Sequence, residues 1–105
     1  MKNEKFNAIL EEQLNYCAKL LGVKNTEYHG EGDRLHTFKS AAVMEGITPK
    51  QALAGMMAKH TISIYDMCKE GNYSIEKWTE KITDHINYLL LLKAMIIEEE
   101  ENAKL

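Results

Sequence analysis

Apolar residues recur at helical spacing along most of the chain. Phe6, Ile9, Leu10, Leu14, Cys17 and Leu20/Leu21 form one stripe of a first predicted helix, from about Glu4 to Leu21, which Gly22 stops. The stretch from Val23 to Gly32 sets Gly30 and Gly32 among charged and polar residues and reads as a long loop. Asp33 is then suited to cap a short second helix to Glu45, with Leu35, Phe38 and Ala42 inward and Gly46 ending it. The third helix has the clearest start: Thr48 caps, Pro49 takes the first position and Gln51 completes a capping box. Its core stripe is Leu53, Met56, Met57, His60, Ile64 and Met67, beside a polar stripe of Lys59, Ser63 and Asp66. Gly71 and Asn72 break it, and Ser74 caps a fourth helix to about Glu99. No stretch reads convincingly as a strand.

The fourth helix says most. Ile75, Trp78, Ile82, Ile86, Leu89 and Ile96 fall on one stripe, and Glu80, Asp84 and Asn87 on nearly the opposite one. A carboxylate pair one turn apart costs an isolated helix a few tenths of a kcal/mol. A protein cation or a hard ion such as Mg²⁺ or Mn²⁺ would offset that cost; a solvated acidic face is the plainer alternative. From Tyr88 to Ile97 apolar residues cover the helix almost all round, which predicts burial on every side. So short a chain has little material for that, so a second copy is expected there, as a homodimer or homotetramer. Cover by the first and second helices is the alternative. Glu98 to Glu101 place four acids at a helix C-terminus, against the macrodipole, which predicts fraying over about 98–105. The expected fold is all-α and four-helix bundle-like, one domain over 1–105, oligomerising through the fourth helix.

Composition narrows the partners. The 105 residues carry a net charge of −3, and Arg34 is the only arginine. That excludes the clustered basic surface of a DNA- or RNA-binding domain. No run is long enough to span a bilayer, and the amphipathic start MKNEKFNAILEEQ does not read as a signal peptide. Cys17 and Cys68 read as reduced core thiols, and the expected compartment is the cytoplasm. The four histidines lack metal-ligand spacing, which argues against a structural zinc site.

Three polar groups remain as candidate chemistry. Glu80, Asp84 and Asn87 are the first; Lys59, His60, Ser63 and Asp66 are the second. A short turn makes the third and fourth helices antiparallel neighbours. Counted from it, Lys59 falls level with Glu80 to Asp84, either as a salt-bridge partner or as part of a metal-and-phosphate site. The third group is KNTEYHGEGDRLHTF, which brings Lys24, Glu27, Tyr28, Arg34 and His36 together. It suits stacking a base and meeting phosphate at a helix start, or an ordinary loop folded onto the core.

The succession of KNTEY, DRLHTF, TPKQALAGMMAKH and EKITDHINYLLLL resembles the MazG-like all-α nucleoside triphosphate pyrophosphohydrolases, in particular small, often phage- or prophage-encoded members. The resemblance spans roughly residues 20 to 97. It implies a helical dimer or tetramer that holds Mg²⁺ on paired carboxylates and cleaves nucleoside triphosphates to monophosphate and pyrophosphate. This chain has ExxxD, Glu80 and Asp84, where the group has ExxD, and Lys59 and Asp66 where its earlier ExxE would stand. On that likeness Glu80 and Asp84 are the metal ligands. Lys24, Glu27, Tyr28, Arg34, His36, Lys59, Asp66 and Asn87 are the ligand-binding residues. The expected activities are Mg²⁺-dependent pyrophosphohydrolysis or nucleotide binding without cleavage, with a purely structural or interaction protein as the third reading.

Overall fold

The computed structural model describes residues 1–22 and 32–104. Among these, four helices form in the order expected: α1 (Asn3–Leu21), α2 (His36–Glu45), α3 (Pro49–Glu70) and α4 (Ile75–Ala103). There is no strand among the described residues. The local signals act as anticipated. Thr48 Oγ1 accepts from the Gln51 N–H at 3.2 Å, while Gln51 Oε1 accepts from the Thr48 N–H at 3.0 Å. Gly46 ends α2 at φ +69°, a left-handed conformation open to glycine, and the Ile47 N–H returns to Ala42 O at 3.0 Å. Ser74 Oγ caps α4 by accepting from the Lys77 N–H at 3.1 Å.

Helix α4 is the axis of the molecule. At 1.5 Å per residue its 29 residues run about 44 Å, close to the 48 Å longest dimension. α3 returns antiparallel along one side: Thr61 Oγ1 and His85 Nε2 lie 2.9 Å apart, and the His60 and Tyr88 rings 4.9 Å apart. α1 lies along another side, where Gln13 Nε2 donates to Thr83 Oγ1 at 2.7 Å. Arg34 donates to the Leu21 carbonyl, closing the end of α1 against the start of α2. The core is small: Leu35, Phe38, Leu53 and Met95, with Met56, Met57, Tyr88, Leu91 and Leu92 packed around them.

Several expectations are corrected. The apolar stripe of α1 is not core within one chain. Only Cys17 is buried, while Phe6 and Leu14 are 55% and 53% exposed, because α1 packs on α4 alone among the described helices. On α4 the faces are reversed. Thr83, Asn87 and Met95 are the buried residues, and Ile75, Ile82, Leu89 and Ile96 point outward at 37–71% exposure. Cys68 is exposed; both cysteines are free. Asp33 does not cap α2 directly: Leu35 stands at the cap, and Asp33 organises the preceding turn. Its Oδ1 accepts from the Leu35 N–H at 2.9 Å, while Oδ2 is drawn to Lys39 Nζ at 2.5 Å.

Nor does α4 fray at Glu98; it stays helical to Ala103. Lys39 meets Glu98 at 2.5 Å and Lys50 meets Glu99 at 3.1 Å, so α2 and α3 each bring a cation to the negative end of the helix. Glu98 and Asp33 hold the Lys39 ammonium between them. The hydrogen bond from Lys39, then that from the Leu35 N–H, holds the Asp33 carboxyl below the usual carboxylate range. This contribution is full above the unfolded-state value of about 3.9 and is lost as pH falls through the lower folded one. Lys39→Ala should therefore cost about 0.5–1 kcal/mol, the pairs being more than a third exposed. It should also flatten the loss of stability between about pH 5 and 2. Chemical denaturation across that range checks both.

Candidate functional site

The middle of α4 brings polar side chains inside a helix that is otherwise apolar. Thr83 is satisfied by Gln13, but among the described residues the buried carbonyl oxygen of Asn87 has no hydrogen-bond partner, and Asn87 as a whole is only 8% exposed. A buried acceptor without a donor costs about 1–3 kcal/mol. The same turns carry Glu80, exposed, and Asp84, half-buried. No ion pair among the described residues includes either carboxylate. Three acceptor-bearing side chains thus follow one another along a single stripe, and among the described residues no ion pair neutralises its two carboxylates.

Lys59 does not offset the pair as expected. The contacts of Thr61 with His85 and of His60 with Tyr88 set Lys59 level with Asn87, about one turn beyond Asp84 and two turns beyond Glu80. Lys59 and Asp66 instead line a groove of about 530 Å³ between α3 and α4, with Ser63, Glu70, Tyr73, Lys77 and Lys81. Tyr73 donates to Glu70 Oε2 at 2.8 Å, and that hydrogen bond holds the Tyr73 phenol above its ordinary value. Its ring stands edge-on to Trp78, 6.2 Å between centroids. Lys77 and Lys81 are one turn apart on α4 and were not singled out from the chain. The signal was there: across an antiparallel turn they come opposite Glu70 and Asp66.

The remaining expected residues disperse. Lys24, Glu27 and Tyr28 lie outside the described residues. Arg34 is half-buried and engaged with the Leu21 carbonyl; His36 is exposed, its Nε2 3.3 Å from Ser40 Oγ. His60 Nδ1 is a second buried atom without a partner among the described residues.

Mg²⁺ takes one or two carboxylates and completes its octahedron with water and phosphate oxygens. Glu80 and Asp84 offer such a pair, with the Asn87 oxygen on the next turn. Among the described residues no three His, Cys, Asp or Glu side chains converge to hold a metal. The donor set thus fits an ion that arrives with a phosphorylated ligand better than one held by protein alone. No helix among the described residues is long and apolar enough to cross a membrane.

Compared with known proteins, the chain matches no family model, no curated protein and no solved structure. If Asn87 is kept for a ligand, Asn87→Leu should leave the melting temperature unchanged or raise it, since the unpaired carbonyl is removed and the volume kept. Leu53→Ala, in the core, should lose about 2–5 kcal/mol. A loss above about 1 kcal/mol in Asn87→Leu would mean that the asparagine is structural.

Proposed function

We propose that this is a nucleotide-handling protein of MazG-like architecture whose ligand meets the polar stripe of α4. The observation behind the reading is Asn87: among the described residues its buried carbonyl has no donor, and the carboxylates one and two turns before it are in no ion pair. A nucleotide supplies both missing partners, N–H or O–H donors for the acceptors and phosphates that bring a divalent cation. When bound, Mg²⁺ held by Glu80 and Asp84 would screen phosphate charge. Binding is the primary reading, because two carboxylates alone are few for metal-assisted hydrolysis. Pyrophosphohydrolysis stands second, on the strength of the ExxxD pair.

In this reading the protein is a homo-oligomer. Ile75, Ile82, Leu89 and Ile96 recur every seven residues on the outward face of α4, the spacing by which helices seat against one another. Leu91 and Met95 are unsuited to test this, because Met95 is 2% exposed and both pack in the chain's own core. Ile82→Glu with Leu89→Glu should yield a folded monomer, where the parent is a dimer or tetramer by light scattering at micromolar concentration. A monomeric parent would end the oligomer reading.

For the ligand, a panel of nucleoside triphosphates with and without Mg²⁺ should raise the melting temperature. A ligand at 100 times its dissociation constant adds about 2.7 kcal/mol. Pyrophosphate that appears only with Mg²⁺, and is lost in Glu80→Gln and Asp84→Asn, would establish the enzyme. Stabilisation with the nucleotide recovered intact would establish the binder. No shift from any member would remove the nucleotide reading and leave an interaction protein.

A further inference from the structure

The α3–α4 groove has a charge pattern that packing does not explain. Lys59, Lys77 and Lys81 line it, and none of the ion pairs among the described residues includes any of them. Asp66 and Glu70 line the same groove, and neither is ion-paired. Lys39 and Lys50, near the far end of α4, are by contrast ion-paired with acids. Here three ammonium groups and two carboxylates stay apart around a space of about 530 Å³, large enough for a small-molecule ligand. The two signs are divided between the walls. On α4 stand Lys77 and Lys81, one turn apart; on α3 stand Asp66 and Glu70, also one turn apart, with Lys59 further along.

We propose that this groove holds the phosphate chain of a nucleotide on Lys77, Lys81 and Lys59, while Asp66 accepts hydrogen bonds from its hydroxyl or N–H groups. The assignment of the ligand class rests on the nucleotide reading above; the placement of its phosphates rests on the groove alone. A bare oligophosphate gains the lysines but meets Asp66 as a like charge. A ligand that joins phosphates to O–H or N–H donors satisfies both walls. Glu70 is already engaged by the Tyr73 hydroxyl, which leaves Asp66 as the carboxylate to discriminate. The groove also adjoins the carboxylate stripe, since Lys81 directly follows Glu80 and lies three residues before Asp84. One ligand can therefore span both.

Calorimetric titration of the full chain with ATP and, separately, with tripolyphosphate tests the placement. Lys77→Gln with Lys81→Gln should weaken both ligands about tenfold or more, a loss of about 1.4 kcal/mol. The melting temperature should not change, because neither lysine is in an ion pair. Asp66→Asn should tighten tripolyphosphate and weaken ATP. Added salt should weaken the parent more than the double variant. If ATP binds with unchanged affinity to the double variant but not to Glu80→Gln, the nucleotide reading survives and this placement is wrong. If tripolyphosphate binds through the lysines while ATP does not bind, the phosphate groove stands and the nucleotide reading falls. If neither ligand binds the parent protein, both are overturned.

Discussion

A single long helix with more apolar surface than the described residues cover is the constraint on which this structure depends. α4 is lined by α1, by α3 and, near its end, by the lysines of α2 and α3. Yet Ile75, Ile82, Leu89 and Ile96 remain outward, and α1 leaves Phe6 and Leu14 uncovered as well. At about 25 cal/mol per Å² of apolar area, leaving so many large side chains in water forgoes several kcal/mol. Closing that surface with a second copy is the cheapest physical remedy, and it leaves the opposite, inward face of α4 free to be specialised.

That inward face is where the helix departs from a pure core. Thr83 and Asn87 replace hydrocarbon at its buried middle; Thr83 finds a partner in Gln13, and among the described residues the Asn87 carbonyl finds none. Glu80 and Asp84 extend the stripe toward the α3–α4 groove, whose lysines stand on the next row of the same helix. On the proposed reading, stability and function therefore draw on one element. The cluster of Lys39 with Asp33 and Glu98, and the Lys50–Glu99 pair, hold its acidic end in place. The unpaired acceptors occupy its centre.

The helices were legible in the chain because their signals are local. The Thr48–Gln51 capping box, the Gly46 stop and the Ser74 cap each act within a turn, and each appears where it was read. The inward residues of α2 were also legible, because Leu35, Phe38 and Ala42 recur at helical spacing along one face, although Val43 and Met44 lie exposed elsewhere on the helix. The faces of α4 were not. A helix apolar almost all round gives its period no means of choosing which side meets α3 and which meets solvent. The Lys59 register failed for a related reason: counting outward from Gly71 cannot anticipate the width of a turn in which both Gly71 and Asn72 adopt positive φ. The end of α4 was misread because its compensating lysines are distant in sequence, Lys39 being 59 residues from Glu98.

On the proposed reading the polar stripe of α4, buried at Asn87 and open at Glu80, meets a ligand, and Asn87 reports on it most directly. In a ¹⁵N-labelled sample, titration with a nucleoside triphosphate and Mg²⁺ should shift the Asn87 side-chain amide together with the backbone amides of Glu80 and Asp84. Movement confined to other parts of the chain, with the Asn87 signals unchanged at saturation, would contradict the account.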